Sequence, residues 1–507
     1  MVSRLNNTMK HFVLILSFLC CLCVHAEVKL PQFFADGMVL QQQSEVRLWG
    51  WCDKIGGGTP GRAVVVTTSW DGRCYETKTD KDGRFEVTVQ TSQAGGPYTV
   101  TISDRSSLNI DHATSLTTNV HHSTINIHCY IGEVWLCSGQ SNMEMLMKGY
   151  KAQPVEGAVE ELLQCADPDL HLFYAKQSAS LQPLNDVKGG PWRTADAASV
   201  REFSATAYFF GRALRRMLGV PVGLICTAYG GSACEAWMKA DWLKTFPQVV
   251  NKWSTVNGQW SITEEDVKKL QQRCPTALYN GQLSPLIGYG IRGAIWYQGE
   301  DNVPRYEYYA PLLAAMVKGW REEWRQDDFP FYYCQIAPFD YSGIDWAKYN
   351  SAFLREQQLL AETLIPNARM AVLMDTGLKN VIHPRKKRQA GERLALLALA
   401  NTYGVKGLPD YAVYSSVEFK GDTAVIAFDR SKEWVYFENG PTSPNFEVAG
   451  DDHVFHPAEA WIQRNRVYVK SKDVKHPVAV RYAFHDWVEG DLMHDGLPVS
   501  SFRTDSW

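Results

Sequence analysis

Residues 134–143, V-W-L-C-S-G-Q-S-N-M, join an apolar run to a polar turn, and the fold can be read outward from this segment. The run 134–137 is typical of a short strand buried on both faces. Gly139 then permits a tight turn. Because serine is a good helix N-cap, the next helix is expected to begin at or near Ser141. A strand that turns directly into a helix predicts one unit of an α/β domain.

The same pattern repeats further along the chain. Apolar runs predict strands, and the amphipathic stretches between them predict helices. The predicted strands are 134–137, 222–227, 293–297, 331–336 and 371–374, and the predicted helices are about 203–217, 307–324, 350–363 and 388–402. This alternation is typical of a parallel sheet with helices on both faces. We therefore predict an α/β domain over residues 128–408.

The flanks of this domain read as all-β. In the N-terminal flank, A-V-V-V-T-T at 63–68 and F-E-V-T-V at 85–89 predict strands, and Asp-Gly pairs at 71–72 and 82–83 predict turns. After about residue 410, the segments 423–428 and 466–469 again predict strands. We predict a β-sandwich domain over 27–127 and a C-terminal β-rich domain over 409–507.

The N-terminus has the composition of a targeting segment. Arg4 and Lys10 precede an uncharged apolar run at 12–24, and Val-His-Ala at 24–26 resembles a small-x-small cleavage site. We predict a signal peptide over 1–26 and export to the periplasm or the outside of the cell. The run is too short to span a bilayer, and no later segment approaches that length. The alternative is a lipid anchor at one of three cysteines, Cys20, Cys21 and Cys23.

Composition excludes some classes of function. The 507 residues carry a formal charge of −4, which argues against a nucleic-acid surface. Nine cysteines follow the predicted signal peptide without a C-x-x-C pair or a metal-ligand spacing, so we expect no structural metal site. Aromatic residues reach 12%, with 17 Trp, which fits either stacking on sugars or burial in β-sandwich cores.

Chemistry-bearing residues follow several predicted strands, and in an open α/β sheet ligands bind beyond the carboxyl ends of strands. Backbone N–H groups and the helix dipole near Ser141 would favour an oxyanion. The paired glycines Gly230 and Gly231 let a backbone amide approach a ligand closely. His383 lies on a loop before a predicted helix, which fits a general base. Each feature alone has an ordinary structural reading, but their number in one domain favours catalysis.

The segments G-Q-S-N-M (139–143), Y-G-G-S (229–232) with E-A-W (235–237), W-Y-Q-G-E (296–300) and I-H-P (382–384) carry a resemblance. Through nearly the whole mature chain, the sequence resembles the sialate O-acetylesterase family of the SGNH hydrolases. The resemblance implies a flavodoxin-like hydrolase domain and a secreted esterase that removes acetyl groups from carbohydrate. It implies no metal and no organic cofactor.

Residue by residue, the resemblance implies a nucleophile, a base and oxyanion donors. Ser141 matches the serine that accepts the acyl group, and His383 matches the base. The donors around the oxyanion would be the amide of Ser141, an amide at Gly230 or Gly231, and the side chain of Gln298.

The sequence does not identify the acid that orients His383. The wider superfamily carries an aspartate three residues before the histidine, whereas this chain has Asn380 there. Glu300 and Asp375 are the two candidates, and the third possibility is a Ser–His dyad whose imidazole is held by a backbone carbonyl.

The sequence also leaves undecided which residues bind the substrate and which acetylated sugar the substrate is. Arg385 begins a basic run at 385–388 that could attract a sialic acid carboxylate, or could simply be solvated. Trp237 and Trp296 would either line the sugar site or fill the gap between sheet and helix. The resemblance favours 9-O-acetyl sialic acid, with acetylated xylan or pectin as the alternative. A non-catalytic carbohydrate-binding protein is the alternative of another class, and the absence of a Gly-x-Ser-x-Gly elbow disfavours a peptidase or lipase.

Overall fold

The structure is a computed structural model that describes residues 27–105, 123–253, 260–344, 350–430 and 434–507. The predicted signal peptide at 1–26, with its alternative lipid anchor, lies outside the described residues. The chain divides into two compact units. Of the described residues, the smaller contains 27–30, 48–87, 100–105 and 123–126, and the larger contains 31–47, 88–99 and those from 127 to 507.

The smaller unit is built from β-strands, as its sequence predicts. Strands that lie wholly or partly in it are Val28–Lys29, Glu45–Cys52, Ala63–Thr68, Cys74–Lys78, Arg84–Gln90, Gly95–Arg105 and the start of Thr124–Gly139. The predicted strand at 63–68 has these bounds in the structure, and the one at 85–89 is longer by one residue at each end. In strand Arg84–Gln90 the alternate side chains Phe85, Val87 and Val89 are buried, which is the period-2 pattern of a half-buried strand.

The larger unit contains the predicted parallel sheet. In spatial order its strands are Arg193–Ala195, Asp167–Ala175, Val222–Ala228, Thr124–Gly139, Gly293–Tyr297, Phe331–Cys334 and Ala368–Ala371. All pair in parallel except the edge strand Arg193–Ala195. The prediction missed the first two of these strands and placed the last one three residues late. The strand Ala368–Ala371 ends where its pairing with Phe331–Cys334 ends. Residues 372–374 are equally buried, but they lie beyond that ladder.

Helices lie between these strands. The α-helices are Ser141–Glu144, Ala158–Leu162, Ala197–Arg201, Ala205–Leu218, Ala240–Leu243, Pro247–Trp253, Glu264–Leu270, Tyr309–Trp324, Ala352–Leu364 and Lys387–Asn401. The four predicted helices are present, with ends shifted by one or two residues. Ala205–Leu218 and Lys387–Asn401 approach closely at Gly391, where a Cβ would lie 2.5 Å from the Thr206 carbonyl oxygen. This contact fixes the start of Lys387–Asn401, just after His383.

The C-terminal β region belongs to the same compact unit as the parallel sheet. Its main sheet has the strand order Val413–Lys420, Thr423–Asp429, Arg466–Lys470, Phe455–Gln463, Thr442–Ala449, Ala479–Tyr482 and Phe502–Arg503. A second sheet consists of Val435–Phe437, Leu492–His494 and Leu497–Pro498. Buried Arg355 donates to the His485 carbonyl (2.5 Å) and to Ser501 Oγ (3.1 Å), which ties helix Ala352–Leu364 to the C-terminal strands.

Two further observations concern the state of the cysteines and the length of the apolar helices. All nine cysteines of the described residues are free thiols, and all but Cys74 are buried, where a free cysteine behaves as a small hydrophobic side chain. Across the described ranges, no helix is long and apolar enough to cross a membrane.

Candidate active site

Ser141 begins a short helix directly after the longest strand of the parallel sheet. The turn between them depends on Gly139, whose φ of 140° and missing side chain are both required: a Cβ would lie 2.2 Å from the Tyr297 carbonyl oxygen. The Gln140 amide donates to that same carbonyl (2.9 Å). The neighbouring strand therefore holds the turn, and Ser141 is left partly exposed at the carboxyl edge of the sheet.

Gly230 lies beside Ser141 at the end of the next strand. A Cβ on Gly230 would be 3.5 Å from Ser141 Cβ, so the backbone of Gly230 adjoins the serine. Its N–H donates to Glu144 Oε2 at 2.7 Å, and Gln177 donates to the other carboxylate oxygen. Burial raises the pKa of Glu144. Gly231 has a φ of 69°, and its nearest neighbour is the side chain of Gln272 instead of the serine.

Tyr150 connects the serine to the histidine. Its hydroxyl donates to the Ser141 carbonyl oxygen (3.2 Å), and its ring lies 4.9 Å from the His383 ring, centroid to centroid. Within the described ranges, no hydrogen bond joins Ser141 Oγ to His383. The structure thus brings Ser141, Gly230 and His383 to one site, with Tyr150 between the serine and the histidine.

The partner of His383 is an amide. Gln153 Oε1 lies 2.7 Å from His383 Nδ1, which places a proton on Nδ1 and leaves Nε2 as the basic nitrogen. Burial, and to a smaller extent the charge of Lys387, lowers the pKa of His383 to about 4. The imidazole is therefore neutral over most of the pH range.

Neither carboxylate proposed to orient His383 contacts it in the described residues. The Asp375 carboxylate forms a two-point ion pair with Arg393, with both N–O distances 2.6 Å. The carboxylate of buried Glu300 accepts from Asn142 Nδ2 at 2.5 Å. The group beside His383 Nδ1 therefore differs from the expectation. It is the neutral side-chain amide of Gln153, whereas a carboxylate was expected.

Glu300 takes part in a buried network instead. Asn142 Nδ2 also donates to the Ile382 carbonyl (3.2 Å), and Asn142 Oδ1 accepts from Lys387 Nζ (2.5 Å). Burial raises the pKa of Glu300 and lowers that of Lys387 to about 7, although the charge of Glu300 opposes the second shift. Asn142 directly follows Ser141, and its side chain contacts Ile382, which directly precedes His383. It therefore fixes the two segments relative to each other.

Gln298 differs from its expected role as an oxyanion donor. It is fully buried, and both hydrogens of its amide are taken, by the Ser232 carbonyl (3.0 Å) and by Asn302 Oδ1 (2.7 Å). Its own oxygen accepts from Tyr309 (2.9 Å). In this structure Gln298 braces the loop after its strand.

The sequence left two alternatives each for Trp237 and Trp296 and for the basic run 385–388, and the structure shows where these side chains lie. Trp237 and Trp296 are fully buried and meet edge to face at 5.9 Å, so they fill the gap between sheet and helix and offer no surface to a sugar. Arg385 is exposed. The rest of its run is bound by protein, because Lys387 is buried and Arg388 pairs with Glu161 (2.9 Å).

Sequence reasoning missed four residues that shape the site: Glu144, Tyr150, Gln153 and Lys387. Tyr150 and Gln153 pair across the turn at 151–152, and the preceding Gly149 lies so close that a Cβ on it would be 2.3 Å from the Gln153 carbonyl oxygen. The glycine was the one local signal, since this stretch has neither strand nor helix periodicity.

Comparisons with known proteins show which family the chain resembles. Residues 131–399, more than half of the chain, match the family model described as "Carbohydrate esterase, sialic acid-specific acetylesterase". Sialate O-acetylesterases from Rattus norvegicus and Homo sapiens are each 27% identical over 75% of this chain, and the matches cover 74% and 72% of those proteins. A carbohydrate acetylesterase from Xanthomonas citri is 33% identical, with a TM-score of 0.79 over 95% of this chain and 100% of its own.

The α/β fold, the serine at the sheet edge and these relatives define the class of protein as a carboxylic-ester hydrolase. Within that class, the chain belongs to the carbohydrate esterase family of sialic acid-specific acetylesterases.

Proposed function

We propose that this protein is an exported O-acetylesterase with a flavodoxin-like SGNH hydrolase domain, in which Ser141 is the nucleophile and His383 the base. The observation that carries the proposal is Tyr150, which contacts both the Ser141 carbonyl and the His383 ring. The domain boundaries expected from the sequence, 27–127, 128–408 and 409–507, are part of the proposal.

The reaction is an acyl transfer in two halves. His383 Nε2 takes the proton of Ser141 as Oγ attacks the acetyl carbonyl carbon. The tetrahedral intermediate collapses as the sugar oxygen leaves with the proton from His383. Water, deprotonated by the same nitrogen, then attacks the acetyl-enzyme, and His383 returns the proton to Ser141 Oγ as acetate is released. Gln153 accepts from Nδ1–H throughout, which keeps Nε2 directed toward the reacting atoms.

The amides of Ser141 and Gly230 are the proposed donors to the oxyanion. Gly230 N–H is bound to Glu144 in the free protein, so the carboxylate of Glu144 must release it when substrate binds. Gln298 contributes by bracing the loop, since its amide hydrogens are taken.

The proposed substrate is an O-acetylated sugar, with 9-O-acetyl sialic acid first. The name of the mammalian relatives supports this choice, and exposed Arg385, two residues after His383, is a cation available to a carboxylate. Acetylated xylan or pectin is the alternative. Acetate release from acetylated sialic acid, xylan and pectin, measured side by side, separates these substrates.

Covalent labelling tests the nucleophile. Diethyl p-nitrophenyl phosphate is expected to stop hydrolysis of p-nitrophenyl acetate and to leave one diethylphosphoryl group on the peptide that contains Ser141. The control is Ser415→Ala, which removes an exposed serine of strand Val413–Lys420 and should leave labelling and inhibition unchanged. Full inhibition with the adduct on another residue, or no hydrolysis by the wild type, would overturn the proposal.

The low pKa of His383 predicts the pH dependence of the reaction. The imidazole must be neutral to accept the proton, and its neutral form predominates above about pH 4. We expect kcat/KM to stay level between pH 6.5 and 5 and to fall through about pH 4. Lys387, with a pKa of about 7, remains charged through this window. A profile that falls near pH 6.5 would contradict this assignment.

Gln153→Glu tests the contact between Gln153 and His383. A carboxylate at Nδ1 favours the imidazolium, so the acidic limb of kcat/KM should move upward by about one pH unit or more. Gln164→Glu adds the same charge at an exposed position and should leave the limb unchanged. An unmoved limb in Gln153→Glu would show that Gln153 does not hold the imidazole.

A further inference from the structure

The outer face of the C-terminal sheet carries an open groove of about 550 Å³. The groove crosses strands Thr442–Ala449, Phe455–Gln463 and Arg466–Lys470, which are neighbours in the sheet. Residues of these strands alternate between the two faces: Ala460 and Val469 are buried inward, whereas Glu459 and Trp461 point outward and line the groove. The groove therefore lies on the solvent side of the sheet, apart from its core.

Trp461 presents one side of its indole to this groove. In the register, Trp461 lies between Tyr468 on one neighbouring strand and Thr442 on the other. The Tyr468 ring stacks on the indole at 5.7 Å and 19°, which covers one side and holds the indole in place. On the other side stands the small side chain of Thr442, which also lines the groove. A half-buried, immobilised indole beside a small residue is a flat apolar platform.

The polar side chains around Trp461 balance in charge. Glu459, Lys470 and Lys472 are the ionisable residues that line the groove. Lys470 already pairs with Asp422, with an N–O distance of 2.6 Å. One carboxylate and one ammonium remain, so the lining favours neither a polyanion nor a polycation. Both groups hydrogen-bond to hydroxyls.

We propose that this groove binds a neutral polysaccharide chain. Pyranose rings have apolar C–H faces that pack on an indole, and hydroxyl rims that hydrogen-bond to charged and polar side chains. The volume lies within the range of about 300–1,000 Å³ that is typical of ligand sites. Since the groove and Ser141 belong to the same compact unit, a chain held here stays attached to the body that carries the ester-cleaving site.

Binding is tested first, without catalysis. Native electrophoresis of the full-length protein through gels that contain soluble deacetylated xylan, glucomannan or polygalacturonate should show retardation by a neutral polymer and little by the polyanion. Ser141→Ala should be retarded like the wild type. Trp461→Ala should reduce affinity by roughly three- to tenfold, the amount expected from loss of one stacking contact.

Two further variants keep this test interpretable. Thr442→Arg fills the groove without altering Trp461 and should abolish retardation, whereas Trp507→Ala removes an exposed tryptophan outside the groove and should leave retardation unchanged. Wild type that migrates freely in both neutral gels, retardation only by polygalacturonate, or equal retardation of wild type, Trp461→Ala and Thr442→Arg would overturn the proposal.

The kinetic consequence rests on the proposed function. Thr442→Arg should lower acetate release from acetylated xylan at limiting polymer concentration, while hydrolysis of p-nitrophenyl acetate stays at the wild-type rate. If p-nitrophenyl acetate is not hydrolysed by the wild type, the esterase mechanism fails, and the electrophoretic result for the groove stands by itself.

Discussion

Replacing Ser141 with alanine is expected to lower kcat for p-nitrophenyl acetate by about three orders of magnitude or more, with little change in KM. In the proposed mechanism, the Ser141 hydroxyl forms the covalent bond that splits the reaction into two easier halves. Ser141 is partly exposed, and Ser141→Ala leaves the turn on Gly139 and the Gln140 amide bond intact. The loss should therefore be chemical, with thermal unfolding unchanged.

His383→Ala should cause a loss of similar size, and the double variant should be no worse than either single one. A nucleophile and its base act as a unit, so removal of one leaves the other without a role. Steady-state kinetics of the three variants, with Ser415→Ala as the control, measure this. Additive losses, or full activity in either single variant, would contradict the assignment of Ser141 and His383.

Lys387→Met is expected to have the second large effect, on both stability and pH dependence. Lys387 is buried, donates to Asn142, and interacts with the charge of buried Glu300. Removing one member of a buried ionic network strands its partner, which we expect to reduce the free energy of unfolding by about 3 kcal/mol at pH 6. Denaturant unfolding at pH 6, where the lysine is charged, measures this change.

The same substitution should raise the pKa of His383, because the charge of Lys387 holds it down. The acidic limb of kcat/KM should therefore move toward higher pH. Lys386→Met is the matched control, since its Nζ donates to the main-chain oxygen of Asp375 (3.1 Å) outside the network. Adding Glu300→Gln to Lys387→Met should restore part of the stability by removing the stranded carboxylate. Unchanged stability and an unmoved limb in Lys387→Met would refute the network.

The pattern of apolar residues along the sequence was sufficient to predict most of the parallel sheet and the four long helices. Runs such as 222–227 and 293–297 are almost wholly apolar, which is the pattern typical of a strand buried on both faces of a sheet. It failed at Asp167–Ala175, where charged residues interrupt the first half of the strand, and at Arg193–Ala195, which is a three-residue edge strand. The last parallel strand was misplaced because hydrophobicity continues beyond the residues that pair.

The sequence by itself determined the segments that meet at the candidate site, Ser141, Gly230 and His383, because each follows a strand whose carboxyl end lies at one edge of a parallel sheet. Tertiary structure alone decided their partners. Asp375 was a plausible acid by position, yet Arg393 on the following helix takes its carboxylate. Gln153, separated from His383 by 230 residues, provides the oxygen at Nδ1. Hydrogen bonds between side chains distant in sequence leave no periodic trace, so only the folded chain reveals which residue orients the histidine.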